Sequence, residues 1–191
     1  MKEAVIVSTA RTGMGKSFRG ALNDTEAPAM GGHAVKAAVE RAGIDPASVE
    51  DVIMGAAAQQ GTQSYNLGRL CSVAAGLPDT TAGMTMDRQC SSGLMSIAWA
   101  AKSIMCDEMD VAVAGGLESI SLVQTKHKNS YRNVSQTVTD IDPTAYIPMI
   151  ETAEIVSERY GISREAQDEY ALQSQMRVAK GTISSLNRPA S

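Results

Sequence analysis

Over its first 116 residues the chain alternates short apolar runs with stretches of helical period, and that alternation restricts it to a few folds. The runs EAVIVSTA (3–10), VEDVIMGAA (49–57), AGMTMDRQ (82–89) and DVAVAGG (110–116) have the length of strands, and the first is a compact β-branched run suited to burial. Between them, GGHAVKAAVERAG (31–43) sets Val35, Ala38, Val39 and Ala42 at helical spacing and stops at Gly43. NLGRLCSVAAGLP (66–78) turns Leu67, Leu70, Cys71 and Ala74 inward and closes with Gly76 and Pro78. SSGLMSIAWAAKSIM (91–105) is expected to bury Leu94, Ile97, Ala98, Ala101 and Ile104. Strands alternating with helices in this way predict an α/β fold: a mainly parallel sheet with helices on its faces.

The pattern changes after Ser119. Residues 121–146 are polar without a clear period and read as a long excursion rather than another strand–helix unit. Two helices are expected beyond it. The first, 149–161, ends at Gly161. The second, 163–181, has Ser163 as its cap, Glu165, Asp168 and Glu169 near its front and Arg177 and Lys180 near its end, in keeping with the helix dipole. The tail TISSLNRPAS carries little pattern.

Composition narrows the function classes. With 191 residues, 43% of them hydrophobic, the chain is long enough for one domain with a real core, or for one and a half small ones. A net charge of −4 and no basic run argue against nucleic acid or an anionic membrane surface as a partner. No apolar stretch reaches the roughly 18 residues a membrane span needs. The N-terminal apolar run is too short for a signal peptide, so a cytoplasmic location is expected. Three cysteines at irregular spacing do not form a disulfide framework, and no Cys or His pair has metal-ligand spacing, so no metal is expected.

Two stretches invite a chemical reading. ARTGMGKS (10–17) fits a relaxed phosphate-loop pattern, but FRGALNDTEAPAMGG follows it, with a proline and no helical stripe. Phosphate binding of that kind needs the loop to open directly into a helix, so the stretch reads as a connecting loop with a tight glycine turn. MDRQCSSGLMS (86–96) places Cys90 at a strand-to-helix junction. Ser91 and Ser92 can cap that helix, and its positive end faces the sulfur, as a nucleophilic cysteine requires. Position alone leaves Cys90 open between a nucleophile and a buried, inert cysteine. Cys71, on an inward helix face, and Cys106, at a helix end, read as packing residues. A cysteine nucleophile also needs a base. Neither histidine stands out: His33 sits at a helix start, and His127 lies between Lys126 and Lys128.

VIVSTARTGMGKSFRGAL, NLGRLCSVAAGLP, DRQCSSGLMSI, VAVAGGLESIS and PMIETAEIVSERYGISREAQDEYALQSQ together resemble the thiolase family, the acetyl-CoA acetyltransferases and 3-ketoacyl-CoA thiolases, from about Val5 to Gln175. The resemblance implies the first βα half of a five-layer αβαβα sandwich, with 1–119 as the N-terminal α/β domain, 120–180 as the start of the loop domain that covers coenzyme A, and 181–191 as an atypical tail. It implies a CoA-dependent acyltransferase that condenses acyl-CoAs or cleaves a 3-ketoacyl-CoA. Cys90 would carry the acyl group, with its backbone N–H as one arm of an oxyanion hole. Met149 would line the pocket for the acyl chain and pantetheine. Pro148 stands where short-chain enzymes often have His, which leaves longer or branched acyl chains open. No tightly bound cofactor is implied, with coenzyme A entering as substrate. A homo-oligomer, dimer or tetramer, is implied through the 82–89 strand. The segments that carry the family's Asn, His and second Cys do not occur in the 191 residues, nor does the last strand of the first half. The expectation is therefore a thiolase half that is inactive alone and needs a complementary C-terminal half, or else a non-catalytic scaffold or partner subunit of the same fold.

Overall fold

The structure, a computed structural model, describes residues 2–186, with side chains to residue 181. It divides into two compact units, Met1–Ser130 and Tyr131–Ser191.

The first unit is built on three parallel strands, β1 (Asp51–Gly55), β2 (Ala82–Met86) and β3 (Ala112–Gly116), in the order β2-β1-β3. Asp51 lies opposite both Ala82 and Ala112, and Gly55 opposite Met86 and Gly116, so the three C-terminal ends are level. Helices α1 (Ala27–Ala42) and α2 (Leu67–Ala74) cover one face. There Val52 and Met54 of β1 pack with Val35, Val39, Leu67 and Cys71 in the main core. Burial of such side chains is worth about 1.5–3 kcal/mol each, which is why the apolar stripes read from the sequence locate this face. Helix α1 stops where expected, at Gly43 in the left-handed region (φ 66°).

Helix α3 (Ser92–Met105) covers the other face, and here the sequence reading is corrected. The buried positions are Ser92, Ser96, Ala100 and Ser103, whereas Leu94 is 71% exposed and Ile97 is also exposed. The reason is close approach. A Cβ on Gly55 would lie 2.2 Å from the Ser92 carbonyl carbon, and one on Gly116 would lie 2.8 Å from the Gly93 Cα. Only small side chains fit that gap. The Ser96 hydroxyl is satisfied within it, 2.6 Å from the Gly115 carbonyl and 2.7 Å from that of Gly93. The larger apolar residues are left on the far side of the helix.

The expected first strand is a second correction. Residues 3–10 form no ladder, and Val5, Ile6 and Val7 are 67%, 75% and 72% exposed. The segment is tied at its ends. Lys2 Nζ pairs with Asp107 and Asp110 just before β3, and the Thr9 carbonyl accepts from Arg41 Nη1 at 3.0 Å. It pairs with no strand among the described residues. A β-branched run becomes a strand only when a neighbour offers a free edge. The expected 82–89 strand ends at Met86, and 87–91 forms the turn into α3.

The polar excursion holds α4 (Ile120–Val123) in the first unit and α5 (Gln136–Ile141) in the second, joined by turns. Helices α6 (Met149–Tyr160) and α7 (Arg164–Leu186) complete the second unit. Gly161 closes α6 at φ 63°, and the Ser163 hydroxyl accepts from the Ala166 N–H at 3.2 Å. Helix α7 runs to Leu186, past the expected end at 181; residues 187–191 of the expected tail lie outside the described residues.

Candidate active site

The level C-terminal ends of parallel strands are where loops of an α/β sheet present ligand-binding groups. Cys90 is at that edge. After Met86, whose carbonyl accepts from the Ala56 N–H at 3.0 Å, the chain turns within five residues into α3. The turn is wired to itself. Asp87 Oδ1 accepts from the Gln89 N–H at 2.6 Å. The Ser91 hydroxyl donates to the Arg88 carbonyl at 2.9 Å. The buried Ser92 hydroxyl accepts from the Arg88 N–H at 2.8 Å and donates to the Gln89 carbonyl at 2.6 Å. Gln89, directly before the cysteine, takes a φ of 49°, a left-handed conformation that a side chain of this size rarely adopts. Strain of this kind persists where surrounding bonds enforce it, and it turns Cys90 outward.

The cysteine is exposed. Among the described residues no hydrogen bond is made by the N–H groups of Cys90, Gly93 or Leu94, while that of Met95 enters the helix ladder through the Ser91 carbonyl at 2.9 Å. Free donors beside an exposed sulfur, at the positive end of a helix of 14 residues, form a place where negative charge is held. The inert, buried alternative for Cys90 does not describe this geometry.

The other cysteines separate. Cys71 is fully buried in α2, and burial pushes its thiol up to about 11. Cys106 is exposed at the end of α3, so its expected packing role is corrected: the helix ends before the chain returns to the core. His33 is exposed on α1, which packs on the sheet face opposite α3, and His127 is exposed in the segment after α4. Neither is bonded to the Cys90 turn among the described residues. Met149 is the first residue of α6, in the second unit, and is 71% exposed. Pro148 before it is the N-cap, and its carbonyl accepts from the Thr152 N–H at 3.0 Å. The ARTGMGKS loop runs into turns over 17–24, and α1 begins only at Ala27. That loop lines a cavity of about 520 Å³ with Met30, Met54 and Gly116–Ser121, and Cys90 is not among its lining residues. Among the described residues no group of acidic, Cys or His side chains has the arrangement to hold a metal.

The sequence reading missed one cluster at the same sheet edge. Glu118, in the loop after β3, accepts from the Ala57 N–H at 2.9 Å, the Ala58 N–H at 3.2 Å and Gln63 Nε2 at 2.6 Å. Gln63 is wholly buried; its Nε2 also reaches the Ala58 carbonyl at 2.9 Å, and its Oε1 accepts from the Ser119 N–H. The two residues lock the loop after β1 to the loop after β3. The only sequence trace of this is the Gly-Gly-Leu-Glu-Ser turn.

Fold and corner define the class: a layered α/β protein that presents a cysteine at a helix N-terminus. Comparison makes the family specific. Residues 4–185 match the family model described as the thiolase N-terminal domain. The chain is 42% identical over 180 residues to a 3-ketoacyl-CoA thiolase of Bacillus subtilis, covering 94% of this chain and 46% of that protein. It is 41% identical over 190 residues to an acetyl-CoA acetyltransferase of Escherichia coli, covering 94% and 48%. The crystal structure of the Bacillus anthracis acetyl-CoA acetyltransferase superposes with a TM-score of 0.81 at 37% identity, over 96% of this chain and 48% of that one. The chain belongs to the thiolase family, and it spans about half the length of the curated relatives it matches.

Proposed function

We propose that these residues form the nucleophile-bearing half of a CoA-dependent acyltransferase, with Cys90 as the acylated residue. The supporting observation is the corner itself: an exposed sulfur at the start of α3, beside N–H groups that no other atom among the described residues occupies. In the first step the Cys90 thiol loses its proton to a base, and its sulfur attacks the carbonyl carbon of an acyl-CoA. The oxygen gains the charge and is held by the Cys90 N–H. As the carbonyl re-forms, the bond to coenzyme A breaks and the CoA sulfur leaves, taking up a proton. In condensation a base takes the α-proton of a second acyl-CoA, the resulting carbanion attacks the acyl carbon on Cys90, and the Cys90 thiolate leaves as the 3-ketoacyl-CoA forms. In the reverse direction a 3-ketoacyl-CoA is cleaved.

The base for this step has no candidate beside Cys90 within the first unit, since His33 and His127 lie elsewhere. It belongs to the part of the relatives this chain does not span. Proton transfer of that kind is worth roughly 10²–10⁴-fold, so the 191-residue polypeptide alone is inactive. Met149 contributes to the acyl and pantetheine pocket, Pro148 widens the choice of acyl chain, and the open edge of β2 supports a dimer or tetramer. The test is peptide mass spectrometry after incubation with acetyl-CoA and a thiolase C-terminal half. Acetyl on the Cys90 peptide, absent in Cys90→Ser, supports the reading. No acetyl on any cysteine of the reconstituted pair makes the chain a non-catalytic thiolase-fold subunit instead.

A further inference from the structure

The turn that presents Cys90 carries an unsuitable residue for its shape. Arg88 to Ser91 form a four-residue turn, closed by the Ser91 N–H on the Arg88 carbonyl at 3.1 Å. The positive φ of 49° falls on Gln89, the first of its two central residues, and Cys90, the second, lies outside that region. A turn of this hand ordinarily takes glycine at the first central place, because a Cβ there is crowded by the backbone. Left to itself, Gln89 relaxes to negative φ. Cys90 follows directly, so that relaxation carries the Cys90 sulfur and N–H away together.

The peptide groups on both sides of Gln89 are held against it. On the carbonyl side, the buried Ser92 donates its hydroxyl at 2.6 Å and its N–H at 3.1 Å to the Gln89 carbonyl. On the other side, Asp87 Oδ1 accepts the Gln89 N–H at 2.6 Å, and among the described residues that N–H has no other acceptor. This is an Asx turn, a ring that the short side chain of Asp or Asn closes. The carboxylate makes the bond charge-assisted. Asp87 is exposed and forms no ion pair among the described residues. Its one further contact, 3.5 Å from the Ser92 hydroxyl, lies within the same turn.

We infer that Asp87 is a positioning residue for Cys90: its bond to the Gln89 N–H holds the left-handed peptide that keeps the Cys90 sulfur and N–H at the start of α3. The inference rests on the reading of Cys90 as the acylated residue. It gives Asp87 no contact with substrate; the residue acts through the backbone alone.

Cys106, the other exposed cysteine, supplies an internal reference, and buried Cys71 reports unfolding. The full chain is treated with limiting iodoacetamide, and the ratio of Cys90 to Cys106 alkylation rates is read by peptide mass spectrometry. The variants are Asp87→Ala, Asp87→Glu, Asp87→Asn and the double variant Asp87→Ala/Gln89→Gly. The ratio is expected to fall about tenfold in Asp87→Ala, the equivalent of one lost hydrogen bond. It should fall also in Asp87→Glu, which keeps the charge but not the short ring, so the Glu variant decides the matter if the Ala variant exposes Cys71. Asp87→Asn retains the acceptor and should recover the parent ratio. Gln89→Gly should restore most of the ratio in the Asp87→Ala background, since glycine adopts the positive φ without being held. A purely structural role would quicken Cys71 and leave the Cys90-to-Cys106 ratio unchanged, which overturns the inference. So does an Asn variant as slow as Asp87→Ala, or a double variant without recovery. Acetylation of Cys90 by acetyl-CoA, with a thiolase C-terminal half present, is followed in the same variants and should show the same order. Failure of the parent pair to acetylate removes the acyl role from Cys90, whereas the alkylation ratio in the chain alone still decides whether Asp87 holds the sulfur in place.

Discussion

The Ser92 hydroxyl receives the Arg88 N–H at 2.8 Å and donates to the Gln89 carbonyl at 2.6 Å, so one buried side chain closes the turn that holds Cys90. Removing it strands the Arg88 N–H. Ser92→Ala is expected to lower stability by about 1–3 kcal/mol in urea denaturation, the range for a buried polar group left unpaired. Ser91→Ala, in an exposed residue, should fall below that range. Equal effects of the two would mean that Ser92 is not the closing bond.

Glu118 predicts a similar asymmetry. Glu118→Ala strips partners from two backbone N–H groups and from the buried Gln63 amide at once. A loss of about 1–3 kcal/mol is expected, with Glu118→Gln losing less because its carbonyl oxygen still accepts. Hydrogen exchange at Ala57 and Ala58 should quicken in the Ala variant. Unchanged exchange there would contradict the contact.

The cysteines should be labelled in a fixed order by limiting iodoacetamide: Cys90 first, Cys106 next, and Cys71 only on unfolding. Thiolate and access together control the rate, and Cys71 has neither. Faster labelling of Cys71 or Cys106 in the folded chain would remove the nucleophile assignment from Cys90.

Cys71 also sets a pH dependence. Its folded thiol is held up to about 11 against an ordinary 9.0, so between those values the unfolded chain binds fewer protons than the folded one. Stability from this group is therefore full below pH 9.0 and falls as pH rises toward about 11. The full loss is up to about 3 kcal/mol at 1.36 kcal/mol per pH unit. Urea midpoints between pH 8 and pH 10.5 should drop less in Cys71→Ala than in the parent chain.

What the sequence made legible was what depends on near neighbours. The three ladder strands and α1, α2, α3, α6 and α7 follow from apolar spacing and from stops such as Gly43 and Gly161. Cys90 was visible because a strand-to-helix junction is itself a local pattern. The 3–10 segment was misread because a strand is decided by its partner, and Val5, Ile6 and Val7 have none in a ladder. The face of α3 was inverted because period counts hydrophobicity, whereas Gly55 and Gly116 admit only small residues. The Gln63–Glu118 lock joins residues far apart in the chain, and no local pattern carries it.

The measurement that bears most directly on the central claim is thiolysis of a 3-ketoacyl-CoA, acetoacetyl-CoA and a longer homologue, in three preparations: this chain alone, this chain with a thiolase C-terminal half, and Cys90→Ser with the same half. Turnover is predicted in the second alone, since only there do the Cys90 corner and a base meet. Turnover by the 191-residue chain alone, or undiminished turnover with Cys90→Ser, would contradict the account.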